Sequence, residues 1–221
     1  MRIKFLPILI AIALVSTLAY SQKNAPDPKR FDDTVFEYET ADKQQPFPEG
    51  AVLFVGSSSV RMWKTLDEDF PQVKAVNRGF GGSQFSDLLY YLDRLVTCYQ
   101  PSKIFIYEGD NDIASGKKAE NILNDAKQVR ENIAKALPGV PVYFIAAKPS
   151  VARWKLRKKY GELNSLLAIY ANDTPYTGFV NVWDPALDDN GEVRTDIFLE
   201  DNLHMNEKGY AIWKKAIEPF L

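Results

Sequence analysis

The sequence predicts an α/β protein in which five parallel strands form one sheet covered by helices on both faces, a three-layer α/β/α arrangement. Short apolar runs alternate with helix-length segments along most of the chain, and parallel strands need such crossovers because each connection must return to the same edge of the sheet. The run 51–56 is continuously apolar, as expected of a strand buried on both faces. A length of 221 residues without repeats suits a single domain.

The elements follow one another in a regular order. Phe31, Val35 and Tyr38 have helical spacing, and Pro46 to Gly50 then interrupts the chain, so we expect a short helix on the outside of the domain. Strands are predicted at 51–56, 73–77, 103–108, 142–147 and 178–182. Helices are predicted at 60–69, 83–97, 119–137 and 155–172, with a last one from Asn206 to the C-terminus.

Composition excludes several classes of function. The 27 Lys and Arg residues nearly balance 29 Asp and Glu residues, and the net charge of -2 gives no electrostatic reason to expect nucleic acid or an anionic membrane as a partner. A single cysteine, Cys98, cannot form an internal disulfide, and we expect it to fill the core. One Cys and one His also argue against a zinc site, and they leave His204 as the sole candidate base of a serine hydrolase.

The N-terminus predicts export. Arg2 and Lys4 precede an apolar run at 5–18, and Ala19-Tyr20-Ser21 places small residues where signal peptidase cleaves. The apolar run is shorter than the about 20 residues of a membrane span. We therefore predict a signal peptide at 1–21, a flexible leader at 22–30 and the folded domain at 31–221, located in the periplasm or secreted. An uncleaved membrane anchor is the alternative.

Two polar segments follow the first two predicted strands, at the sheet edge where parallel sheets bind ligands. Gly56-Ser57-Ser58-Ser59 places hydroxyls at a helix N-terminus, which suits either a nucleophile or a simple helix cap. Asn77-Arg78-Gly79-Phe80-Gly81-Gly82 is glycine-rich, and it offers either a tight turn or backbone N–H donors for an anion. Gln84 occupies the position of the third glycine of a dinucleotide fingerprint, which excludes that motif.

Two further segments lie later in the chain. Glu108-Gly109-Asp110-Asn111-Asp112 follows the third strand, and it is either an ordinary turn or the carrier of an amide that donates to an oxyanion. Ser115 stands where a calcium loop requires glycine. Asp201 precedes His204 by three residues, so its carboxylate can reach the imidazole Nδ1, although a surface histidine near a helix start has the same pattern.

Taken together in this order, the four segments resemble the GDSL, or SGNH, hydrolase family, and in particular its branch similar to the catalytic subunits of platelet-activating-factor acetylhydrolase. The resemblance implies a flavodoxin-like fold. It also implies Ser58 as nucleophile, Asp201 and His204 as its partners, and an oxyanion hole formed by Ser58, Gly82 and Asn111. The family usually has Asp before the nucleophile, whereas this chain has Ser57.

The activity implied by the resemblance is hydrolysis of short-chain carboxylic esters, or of O-acetyl groups on carbohydrates, through an acyl-enzyme and without metal or cofactor. Lipid-ester cleavage, acyl transfer and a non-catalytic carbohydrate-binding module are the alternatives. Asp112 is expected to support the site or form a turn. Arg61, Trp63, Arg153 and Trp154 either line the substrate cleft or belong to ordinary surface. The expected partner is a small ester or an acetylated carbohydrate, and the oligomeric state stays open.

Overall fold

A computed structural model of the chain describes residues 26–221 and contains one five-stranded, all-parallel sheet. The strand order is β2-β1-β3-β4-β5, the order typical of flavodoxin-like folds, so the predicted sheet is confirmed. The strands are β1 (Val52–Gly56), β2 (Ala75–Gly79), β3 (Lys103–Tyr107), β4 (Val142–Ile145) and β5 (Thr177–Val180).

The second strand lies two residues later than predicted. Pairing with β1 fixes its register, with Ala75 opposite Val52 and Gly79 opposite Gly56. Val73 instead closes a turn by donating its backbone N–H to the carbonyl of Phe70. Because Arg78 is polar, the apolar pattern did not show that the strand continues to Gly79.

Helices cover both faces of the sheet. The predicted helix at 60–69 is in fact two short helices, and the one at 83–97 is a short α-helix followed by a π-helical turn, Asp93–Thr97. A short helix that the sequence did not predict begins at Asp110, directly after Gly109 in the left-handed conformation. The helices are α1 (Asp32–Gln44), α2 (Ser58–Arg61), α3 (Leu66–Asp69), α4 (Phe85–Tyr90), α5 (Asp110–Ala114), α6 (Ala119–Ala136), α7 (Arg157–Asp173) and α8 (Glu207–Ile217).

Two apolar cores lie on opposite faces of the sheet. Alternate residues of β1 enter different cores, Leu53 on one face and Phe54 on the other, as the period of a strand requires. The first core is covered by α1, α4, α6 and α7, and the second by α2, α3 and α8. The long helix α6 shows the expected helical spacing of its buried positions, which are Ala119, Ile122, Ala126, Val129, Arg130 and Ile133.

The predicted signal peptide and the start of the predicted leader lie outside the described residues. The described end of the leader contacts the domain, because the Tyr91 hydroxyl donates to the carbonyl of Pro28 and Arg30 pairs with Asp87.

Cys98 is exposed, so the expectation that it fills the core is wrong. Within residues 26–221, no helix is both long and apolar enough to cross a bilayer.

Candidate active site

Ser58 is the first residue of α2, directly beyond the carboxyl end of β1. The preceding Gly56 has a φ of 131°, and a Cβ there would lie 2.0 Å from the backbone oxygen of Tyr107 on β3. Only glycine therefore allows the chain to leave the sheet at this point. Ser58 is partly exposed, whereas Ser57 and Ser59 are each 2% exposed. Of these three serines, Ser58 is the one that contacts His204.

Ser58, His204 and Asp201 form a hydrogen-bonded row. The Ser58 Oγ lies 3.0 Å from the His204 Nε2, and the His204 Nδ1 lies 2.5 Å from the Asp201 Oδ2. The Asp201 Oδ1 also accepts the backbone N–H groups of Leu203 and His204, each at 2.9 Å. Partial burial opposes ionisation of Asp201, but these hydrogen bonds outweigh it and lower the pKa of Asp201 to about 2. A carboxylate at Nδ1 leaves Nε2 free to accept the serine proton.

Gly82 and Asn111 follow the strands on either side of β1. Gly82 has a φ of 90° and is exposed, and its backbone N–H has no acceptor within the described part of the chain. The Asn111 Nδ2 donates to the backbone oxygen of Ser83 at 2.9 Å and to the Ser57 Oγ at 2.6 Å. An acceptor that displaces the Ser57 hydroxyl can therefore receive this amide hydrogen.

Sequence reasoning missed the role of a segment that follows β4. Arg153 donates to the Asn111 Oδ1 at 3.1 and 3.2 Å and to the Asp110 Oδ1 at 2.5 Å. Lys148 donates to the backbone oxygen of Leu203, next to His204. Strand-end position is the one signal that marked Arg153. Trp63, in contrast, is 1% exposed in the second core, so both alternatives given for it, cleft lining and ordinary surface, are wrong.

Two more carboxyl groups are buried beside the site. Glu108 accepts the Ser83 hydroxyl at 2.5 Å. Asp112 accepts the backbone N–H of Phe85 at 3.3 Å and pairs with Lys117 at 3.0 Å. Asp112 therefore supports the start of α4, in keeping with the supporting role expected for it. Across residues 26–221, no group of three His, Cys, Asp or Glu side chains is arranged to hold a metal ion.

Solved structures share this architecture. A structure described as a putative platelet activating factor from Streptococcus pneumoniae is 21% identical, with a TM-score of 0.77, covering 97% of this chain and 99% of that one. A GDSL-like lipase from Bacteroides thetaiotaomicron is 20% identical, with a TM-score of 0.70 and coverages of 84% and 96%. An acetylxylan esterase from Geobacillus stearothermophilus is 13% identical, with a TM-score of 0.64 and coverages of 77% and 93%. At these identities the likeness establishes the fold.

The family follows from the sequence match. The family model of the GDSL-like lipase/acylhydrolases covers residues 50–212, well over half of the chain. Fold and family model together define an α/β hydrolase that acts on carboxylic esters. The chain belongs to the GDSL-like lipase/acylhydrolase family. A search of curated proteins found no match.

Proposed function

We propose that this enzyme cleaves short-chain carboxylic esters, including O-acetyl groups on carbohydrates, through an acyl-enzyme on Ser58. The single observation that carries the proposal is the hydrogen-bonded row in which the Ser58 Oγ is 3.0 Å from the His204 Nε2 and the His204 Nδ1 is 2.5 Å from Asp201. Such a row is the arrangement that activates a serine hydroxyl, which is a weak nucleophile until a neighbouring base takes its proton.

The chemistry proceeds in two halves. His204 removes the Ser58 proton as the oxygen attacks the ester carbonyl, and Asp201 stabilises the imidazolium that forms. His204 then gives this proton to the leaving alcohol, and the acyl group stays on Ser58. In the second half, His204 takes a proton from water, the hydroxide attacks the acyl-enzyme, and the proton returns to Ser58 as the acid leaves.

The oxyanion of each tetrahedral intermediate needs donors that are already in position. The candidates are the backbone N–H groups of Ser58 and Gly82 and the amide of Asn111. Both backbone groups are free of acceptors among the described residues. Asn111 releases Ser57 to reach the oxyanion while its bond to the Ser83 carbonyl keeps the amide oriented.

An acetylated carbohydrate is the substrate that we favour. One of the structural neighbours is an acetylxylan esterase. Export, predicted from residues 1–21, would bring the enzyme to external glycans, and N-terminal sequencing of the exported protein tests it.

The proposed function is tested with p-nitrophenyl esters that range from acetyl to dodecanoyl. We expect turnover to be highest for acetyl and to disappear in Ser58→Ala. Ser59→Ala is the matched control, because the neighbouring hydroxyl is buried and has no contact with His204. We expect Asn111→Ala to fold normally and to lower kcat by about 10²–10³-fold.

Each other outcome redirects the proposal. A maximum at long acyl chains would favour a lipid esterase, and transfer of the acyl group to an added alcohol in preference to water would favour an acyltransferase. Full activity in Ser58→Ala would contradict the assignment of the nucleophile. Folded protein without activity on any ester would favour a carbohydrate-binding module.

A further inference from the structure

Asp110 is a buried carboxylate surrounded by donors. It is 6% exposed and lies at the start of α5, next to Asn111. Its Oδ1 accepts Arg153 and the Tyr160 hydroxyl, each at 2.5 Å, and its Oδ2 accepts the Tyr107 hydroxyl at 3.0 Å and lies 3.7 Å from the Lys148 Nζ. Burial alone would raise the pKa of Asp110, but the charges of Lys148 and Arg153 outweigh it and lower this pKa. Asp110 is therefore ionised at neutral pH.

Arg153, one cation of this cluster, also contacts Asn111, the proposed oxyanion donor. Two guanidinium nitrogens of Arg153 donate to the Asn111 Oδ1, at 3.1 and 3.2 Å. A guanidinium has hydrogen-bond donors and no acceptor, so it can bond to the amide oxygen of Asn111 and not to its nitrogen. The Nδ2 must then face Ser83 and Ser57, where an oxyanion donor is needed. A positive charge at the amide oxygen also polarises the amide and strengthens its N–H as a donor.

The other cation extends to the side of the base. The Lys148 Nζ donates to the backbone oxygen of Leu203 at 2.7 Å, and the Ala152 N–H donates to the backbone oxygen of Asn202 at 3.0 Å. Both carbonyls lie between Asp201 and His204 in the chain. The segment from Lys148 to Arg153 is thus bonded to both parts of the site.

We propose that Arg153 and Lys148 are positioning residues that use their common partner Asp110 to fix the Asn111 amide and the loop of Asp201 and His204 relative to each other. The inference rests on the proposed function. A direct role in binding an anionic substrate does not fit, because Lys148 is 2% exposed and the guanidinium of Arg153 is already bonded to Asp110 and Asn111.

The first experiment measures kcat and KM of the mature enzyme and of single variants. We expect Arg153→Met to lower kcat roughly 10- to 100-fold, the effect of losing a hydrogen bond to a charged group, with little change in KM. Arg153→Lys should restore part of kcat, because an ammonium also donates to the amide oxygen. Arg157→Met is the matched control, since this exposed arginine lies one turn further and contacts neither Asp110 nor Asn111.

The decisive measurement combines Arg153→Met with Asn111→Ala. If Arg153 acts through Asn111, its substitution has no further effect on kcat once the amide is gone. If Arg153 only stabilises the fold, the two losses multiply, and this result would overturn the assignment of Arg153.

Lys148 should behave in the opposite way, because it acts on the loop of His204. We expect Lys148→Met to lower kcat about 10-fold with little change in KM, and this loss to multiply with that of Asn111→Ala but to disappear in a His204→Ala background. A loss that multiplies with both would show that Lys148 only stabilises the fold. Lys155→Met on the exposed surface leaves kcat unchanged. Unchanged kcat in Lys148→Met would overturn its assignment. These failures differ from failure of the proposed function, in which the unmodified enzyme is inactive or Ser58→Ala stays active.

Discussion

Glu108 and Asp110 lie two residues apart after the same strand, and both are buried, yet their pKa values shift in opposite directions. Asp110 has two cations within reach and is ionised. Glu108 is 1% exposed, and burial, together with repulsion from the Asp112 carboxylate, raises its pKa well above the ordinary value. Its Oε1 accepts the Ser83 hydroxyl, and its Oε2 has no partner among residues 26–221.

The contrast shows that charged partners, rather than burial, decide in which direction the pKa of a buried carboxyl group shifts. It also separates two kinds of support for the site. The ionised Asp110 organises the cations that hold Asn111 and the His204 loop. Glu108 has no cation bonded to it among residues 26–221, and it instead holds Ser83, the residue after the oxyanion candidate Gly82, by accepting its hydroxyl.

The largest effect is expected from removing the charge of Asp110. Asp110→Asn leaves Lys148 and Arg153 buried without an anion, and breaking a buried ion pair in this way costs about 3–5 kcal/mol. The free energy of unfolding, measured in urea at neutral pH, should fall by this amount. An exposed aspartate, as in Asp189→Asn, serves as the control. A loss no greater than that of the control would mean that the charge of Asp110 does not hold the cluster together.

Glu108→Gln should raise the free energy of unfolding, whereas Asp110→Asn lowers it. A raised pKa means that the folded state binds a proton that the unfolded state has lost, so stability is full below the ordinary pKa of 4.5 and falls as pH rises above it. The glutamine variant takes up no proton on folding, so it should be more stable than the parent by about 1–2 kcal/mol at neutral pH. Urea unfolding at several pH values should show equal stability in acid and a growing difference above it. A variant less stable at neutral pH would show that Glu108 is ionised.

The sequence predicted much of the site because the relevant residues follow strand ends in a recognisable order. Strand-end placement marked the segments that contain Ser58, Gly82, Asn111, Asp201 and His204, the resemblance to the family assigned roles to these residues, and their catalytic roles stay predictions. The pKa shifts in the run Glu108 to Asp112 were not accessible, because the cations that lower these pKa values come from other points of the chain. Lys148 and Arg153 follow β4, and only the folded connection after that strand brings them to Asp110.

The smallest effect, from Ser83→Ala, tests the neutral side of the comparison. The substitution removes a hydrogen bond to Glu108, so we expect a loss of about 1 kcal/mol at neutral pH. Activity should change little, because Asn111 donates to the backbone oxygen of Ser83, which alanine retains. The lost bond had lowered the pKa of Glu108, so that pKa rises further in the variant. Because the bond stabilises the ionised carboxylate more than the acid, the difference in unfolding free energy between parent and variant should be constant in acid and grow as the pH rises through the folded pKa of Glu108. A difference that shrinks as the pH rises would contradict this assignment.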